Sequence, residues 1–445
     1  MTTTTFINLQ NDVRPEALLS RADQSWISSL RPSGRAMAGN TARRLVHALL
    51  QRMTADRLIV DDRVTERTGF CPVVYGVEAG ELVGEIIVHD TRAYLALVTE
   101  GAIGLGRGYI EGWWDSPDPV TAVRVLIRNI APIDAFRNRF HRRTGWATDR
   151  IRAARAARGR TANRDDIAAH YDLGNAFFEL FLDETMTYSS AVFTSMDSSL
   201  EDASLHKYDV LLTKLGVDRS HALLEIGTGW GGLAIRAAES TGCHVTTTTI
   251  SSEQFTEARR RVDAAGCTDR VDVLDVDWRD LTGSFDRIVS VEMIEAVDWR
   301  DYDAYFATIE RCMRPDGLAA IQAICLPDNR YDRAKNTEDF IRRFVFPNGS
   351  LTSLGAISKS VSRATGMQIV GVEDFSAHYA ETLKRWRLAF EDRLDDVRAL
   401  GLDDRFSRLW RFYLAYCEAG FRERHCTVNQ IVLAGRDWRG TIHRA

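Results

Sequence analysis

The chain has 445 residues, of which 45% are hydrophobic and 27% charged, with a net charge of -5. This is the balance of a folded globular chain and excludes a disordered or collagen-like one; at about 150 residues per unit, the length suggests roughly three domain-sized pieces. No apolar run reaches the roughly 18 residues of a spanning helix, so none is expected.

The first residues, MTTTTFINLQND, lack the basic start and apolar stretch of a secretory signal, and 1–35 reads as a frayed tail. From 36 to 135 the pattern mixes helix and strand. ARRLVHALLQRM has apolar residues at helical spacing. LIVDD, CPVVYGVE, LVGEIIVHD and AYLALVTEG read as short strands broken by Asp, Gly and Pro. GAIGLGRGYIEGWWDSPD follows, with Gly104, Gly106 and Gly108 spaced by two; no strand feeds a helix there, which argues against a nucleotide loop.

The stretch 136–164 carries ten Arg and one acidic residue, Asp149, whereas the whole chain has five Lys. It reads either as a solvated linker or as a contact with an anionic membrane surface, where each basic residue is worth about 1 kcal/mol. The overall charge gives no sign of nucleic-acid binding. The seven Cys are separated by at least eight residues, so no metal-ligand spacing exists, and reduced thiols in a cytosolic protein are expected.

From 165 to 445 strands alternate with helices. ALLEIG, HVTTTTI, VDVLDVDW, RIVSVEM and AAIQAI are strands, and GLAIRAAES, SEQFTEARRRVDAAG and DYDAYFATIERCM are helices. This alternation predicts an α/β fold, a parallel sheet with helices on both faces, whose ligands lie at the carboxyl ends of the strands.

The first of these strands runs into Glu225-Ile226-Gly227-Thr228-Gly229-Trp230-Gly231-Gly232. Gly227, Gly229 and Gly231 let the backbone approach a ligand without a Cβ. The spacing is not G-x-G-x-x-G, and Glu225 would repel a pyrophosphate but suit a cation. E-x-G-x-G-x-G is the form of S-adenosylmethionine-dependent methyltransferases. The next strand ends near Thr249, and Ser251 with Gln254 has the form of a capping box; no acid stands there for ribose hydroxyls, and Gln254 is the polar substitute. Asp277 and Trp278 end the third strand, a polar group and an aromatic face that suit adenine, although Trp278 reads equally well as core.

Several motifs occur in order: Ala169-His170-Tyr171-Asp172-Leu173-Gly174-Asn175, Met186-Thr187-Tyr188-Ser189-Ser190-Ala191, EIGTGWGG, TTTISSEQ, VSVEMIEAV and FVFPNGSLTS. In these the chain resembles the cyclopropane-fatty-acyl-phospholipid synthases, relatives of the mycolic acid cyclopropane synthases and tuberculostearic-type fatty acid methyltransferases. The resemblance implies a seven-stranded Rossmann-like methyltransferase domain behind a smaller mixed α+β lipid-engaging domain. It implies transfer of one carbon from S-adenosylmethionine to a cis double bond in a phospholipid acyl chain, through a carbocation that aromatic faces stabilise. A cyclopropane is the expected product and a methylene-branched chain the alternative, the choice resting on which proton is lost; an inactive lipid-binding protein is the reading from another class.

The resemblance also implies a bound bicarbonate as base. Its ligands fall on Glu295, Tyr379, Gln322 in place of His, Ser190 in place of Cys, and the amide of Ile324. Tyr188 and Ser189 fall to the cofactor. Glu295 has independent support as an acid at a strand end above a cofactor loop. His170 and Tyr171 are left out of catalysis, and Phe346 reads as tunnel lining or core. The implied location is cytoplasmic and peripheral, on the inner face of an anionic membrane. A homodimer is compatible with this, and a methylene product would call for a reductase partner.

Overall fold

The computed structural model describes residues 32–64, 72–131 and 173–442. The Arg-rich run 136–164 and residues 169–172 of the first motif lie outside the described residues. Helices of nine residues or more are labelled below.

The front part is built on helix α1 (Pro32–Leu50) and a four-stranded sheet of β1 (Arg57–Asp62), β2 (Val73–Gly76), β3 (Val83–Val88) and β4 (Trp114–Asp115), in the order β2-β1-β3-β4. Period-two burial along β1 matches the alternation of LIVDD. The segment AYLALVTEG, expected as a strand, is instead helix α2 (Arg92–Glu100), with four consecutive buried residues from Ala93 to Leu95 and Ala96. Its buried residues are consecutive rather than spaced by three or four, so the apolar run imitates a buried strand.

The glycine-rich stretch that follows is helix α3 (Ala102–Ile110). Its glycines serve close packing. A Cβ at Gly104 would lie 2.0 Å from the Ala96 carbonyl oxygen, and one at Gly106 would lie 2.2 Å from the Phe340 ring. Helix α4 (Pro119–Arg128) completes the unit, capped by Asp118, whose carboxylate accepts from Thr121 N.

The second sheet has seven strands in the order β10-β11-β9-β8-β5-β6-β7. These are β5 (Ala222–Ile226), β6 (His244–Thr249), β7 (Val271–Asp275), β8 (Phe285–Val291), β9 (Met313–Cys325), β10 (Gln368–Asp374) and β11 (Thr427–Ala434). Neighbours from β7 to β9 pair parallel, while β11 pairs antiparallel with both β9 and β10. Helices α5 (Leu200–Leu215), α6 (Gly232–Thr241), α7 (Ser252–Ala264), α8 (Tyr302–Cys312) and α9 (Leu354–Ala364) flank it. The expected α/β architecture is thus present, and every strand and helix read from the alternating segment is found.

Two long helices, α10 (Ser376–Asp392) and α11 (Asp404–Arg422), link the sheets. Phe412 of α11 stacks on Tyr109 at 5.1 Å and meets Phe340 edge-on at 5.1 Å. Arg124 and Arg128 of α4 each donate to Glu423 at 2.6 Å. The front sheet is therefore fastened to the helices that wall the site.

Candidate active site

The carboxyl ends of β5 to β8 surround one cavity. At its floor the glycine loop turns through left-handed conformations, with φ of +101° at Gly227, +52° at Gly229 and +88° at Gly231. A Cβ added at Gly229 would meet nothing within 4 Å, so this residue faces open space. Gly227 and Gly229 line the cavity, as does Gly232. Gly231 does not; it caps α6, and its Cβ would approach Ala258 at 3.4 Å.

Glu225 also lines the cavity. It is buried and accepts from Thr247 Oγ1 at 2.7 Å. Burial pushes its carboxyl up to about 8, against the pull of Thr247 and the Lys207 charge. A sulfonium or ammonium ligand in the cavity would add to the Lys207 charge in favouring the ionised carboxylate.

Thr249, Gln254, Asp277 and Trp278 line the same cavity. Thr249 donates to Gln254 Oε1 at 3.0 Å, which orients the amide. Ser251 does not line it: its hydroxyl caps α7 by accepting from Gln254 N at 3.3 Å. Asp277 caps the short turn Trp278–Asp280. Trp278 does both things its sequence context suggested, bordering the cavity while packing edge-on against Tyr305 at 5.4 Å. Tyr188 and Ser189 form the opposite wall, where Ser189 accepts from the buried Lys207 ammonium at 2.7 Å. A glycine cradle, a buried acid and polar edge groups fit S-adenosylmethionine.

Next to this cavity lies a buried polar cluster. Ser190, Gln322 and Tyr379 do come together, but around Glu292, which the sequence reading did not single out. Glu292 Oε1 accepts from Ser190 N at 2.9 Å and from Gln322 Nε2 at 2.8 Å. Its Oε2 accepts from Tyr379 OH at 2.7 Å. The Ser190 hydroxyl turns away, donating to the Ala191 carbonyl at 3.1 Å. Glu292 follows the last residue of β8 with a φ of +50°, which is rare for a residue with a side chain.

Glu295 lies deeper. Its Oε1 accepts from the Ile324 amide at 2.5 Å, and its Oε2 is buried without a hydrogen-bond partner. Burial, and then the Glu292 charge, push its carboxyl up to about 8. Glu292 lines the cofactor cavity and Glu295 does not. The second acid was visible in VEMIEAV, three residues before the first and at a strand end, but a single-carboxylate pattern drew attention away from it.

Aromatic rings close the remaining side. Tyr188 packs against Phe178 and Trp386, each at 5.2 Å, and shares a hydrogen bond with Tyr413 at 2.9 Å. Phe346 meets Tyr413 edge-on at 6.0 Å, within the core that joins both parts of the chain.

The family model for mycolic acid cyclopropane synthetase matches residues 158–431. The chain is 42% identical over 343 residues to the tuberculostearic acid methyltransferase UfaA1 of Mycobacterium tuberculosis, covering 75% of this chain and 79% of that protein. It is 33% identical over 361 residues to the cyclopropane-fatty-acyl-phospholipid synthase of Escherichia coli K12, covering 80% and 89%. Among solved structures, the mycolic acid cyclopropane synthase CmaA1 in complex with SAH and CTAB superposes with a TM-score of 0.57 at 30% identity, covering 61% of this chain and 98% of that one.

Proposed function

The chain belongs to the mycolic acid cyclopropane synthetase family and is an S-adenosylmethionine-dependent methyltransferase of the kind that modifies fatty acids; from that premise we propose that it transfers one carbon to the cis double bond of an unsaturated acyl chain in a phospholipid. When bound, S-adenosylmethionine supplies a methyl group as a cation equivalent and leaves as a neutral thioether.

An alkene is a weak nucleophile, so the site must stabilise the carbocation that methylation leaves behind. The observation that carries the reading is a wall shared between the cofactor cavity and an aromatic cluster. Tyr188 lines the cavity and is backed by Phe178, Trp386 and Tyr413. Aromatic faces in a dry site are worth about 2 kcal/mol or more to a cation. They also exclude water, which would trap it as an alcohol. The Glu225 carboxylate favours the positive charge of the methyl donor.

Proton loss from the new methyl group closes a cyclopropane. If a hydride first moves onto the cation, loss of a methyl proton gives an exocyclic methylene instead. The branched product is favoured by the higher identity to a protein named as a fatty acid methyltransferase, 42% against 33% for the cyclopropane synthase. Analysis of fatty acids from a host expressing the protein, with derivatisation that distinguishes ring from methylene, tests both. Host lipids containing neither would refute the reading.

A further inference from the structure

Of the residues to which the family resemblance assigns a bicarbonate, Gln322 and Tyr379 by their side chains and Ser190 by its amide already hold Glu292, and the Ile324 amide holds Glu295. We propose that Glu292 takes the place of bicarbonate in the cradle of Ser190, Gln322 and Tyr379 and is the proton acceptor of the reaction. The inference rests on the reading above, that a carbocation forms on an acyl chain.

Every donor hydrogen of the cradle is already engaged: the Ser190 hydroxyl donates to the Ala191 carbonyl and the Ile324 amide to Glu295. Ser190 N and Tyr379 OH carry one each, and both point at Glu292. The Gln322 amide has two, one on Glu292 Oε1 and the other toward the Ser190 carbonyl at 3.3 Å. Its orientation is fixed from behind. The Lys214 ammonium can only donate, and it donates to Gln430 Oε1 at 2.6 Å. Gln430 therefore presents Nε2 to Gln322 Oε1, at 3.0 Å, and Gln322 must present Nε2 to Glu292. Gln322 and Gln430 are direct cross-strand partners on β9 and β11, which keeps the relay in register. Lys214, Gln430 and Gln322 are thus positioning residues.

A bicarbonate in this cradle would also put a second negative charge against a buried one, with Glu295 behind it. The bicarbonate does not fit. A glutamate carboxylate offers the same pair of oxygens and the same charge, and it loses no translational freedom on binding because it is tethered. Glu292 is the member of the cluster that lines the cofactor cavity. Its strained φ of +50° is held by a hydrogen bond from its amide to the Gln322 carbonyl at 2.8 Å; an outlier kept in a site suggests a use. Burial raises its carboxyl above the usual range despite its three donors, which makes it a better base than a surface acid.

In the step, a Glu292 oxygen takes a proton from the methylated chain. The electron pair of that C–H bond closes the ring bond, or the methylene double bond after hydride migration. Glu292 leaves the step as a neutral acid and returns its proton to water once the product has gone.

The test uses the full-length protein, S-adenosylmethionine and vesicles of monounsaturated phospholipid, in buffer stripped of bicarbonate and with bicarbonate restored. Wild type is expected to work equally in both. Glu292→Gly should fold, because glycine accepts this φ, and should bind S-adenosylmethionine. Its turnover should fall by about 10²-fold or more and recover in part with added bicarbonate, which can enter the emptied cradle. Wild type that loses activity on depletion and regains it on addition, or a Glu292→Gly variant at full rate without bicarbonate, would overturn the proposal. Wild type that makes no acyl product in either buffer would instead overturn the function on which it rests.

Discussion

At Gly229 the chain has an open approach to the cavity and a φ of +52°. A valine there would place its side chain where the ligand must lie, while the conformational strain costs about 1–3 kcal/mol. Gly229→Val should therefore abolish S-adenosylmethionine binding in a titration and leave a folded protein with a lowered melting temperature; unchanged affinity would remove this loop from the site. Glu225 gives a prediction of opposite kind. Its carboxyl, raised to about 8 by burial, is mostly protonated at pH 7. A cationic ligand favours the charged form and lowers that value, so binding should expel a proton and tighten as pH rises from about 6 toward 8. Calorimetry at pH 7 in two buffers of different ionisation enthalpy would read the released proton, and identical heats would contradict it. The glycines and Glu225 were legible in sequence because loop chemistry is local. Glu292 was not, because its importance comes from Ser190, Gln322 and Tyr379, which lie far from it along the chain and meet only in the fold. Gln322 stood out in the sequence, but the carboxylate that it faces is seen only in the fold.

Among elements, the parallel sheet was readable because its strands are short, rich in β-branched or apolar residues, and three of them end at a glycine or a capping residue, as at Gly227, Ser251 and Asp277. Helices α2 and α3 were not, since one buries four consecutive residues and the other is rich in glycine, usually a loop residue. Their close packing has a measurable consequence. The missing Cβ of Gly104 would lie 2.0 Å from a backbone oxygen that cannot rotate away. Gly104→Ala should cost about 1–3 kcal/mol through overpacking and lower the melting temperature. Cofactor affinity should be unchanged, because α3 packs on α2, α11 and the short helix Phe340–Phe344, and none of its residues lines the cofactor cavity. An unshifted melting curve would mean that α2 and α3 do not approach this closely.

For the whole molecule, a net charge of -5 hides the ten Arg of 136–164. None of the described helices is long and apolar enough to cross a membrane; the proposed substrate, a double bond within a bilayer, calls for contact with the membrane surface. We propose that the Arg run supplies it electrostatically. Binding to anionic vesicles should then weaken with salt, as the Debye length falls from about 10 Å at 0.1 M to about 3 Å at 1 M. Replacing Arg150, Arg152, Arg155 and Arg158 with Gln should weaken sedimentation with those vesicles and leave cofactor affinity unchanged; equal sedimentation of variant and parent across a salt series would show a solvated linker. The central claim, one-carbon transfer to an acyl double bond, is tested most directly with methyl-deuterated S-adenosylmethionine. Purified protein is incubated with vesicles of monounsaturated phospholipid, and the released fatty acids and head groups are examined separately by mass spectrometry. The account predicts a CD2 unit added to the acyl chain at the former double bond and none on the head group. Label confined to the head group, or absent from the lipid while S-adenosylmethionine binds normally, would contradict it.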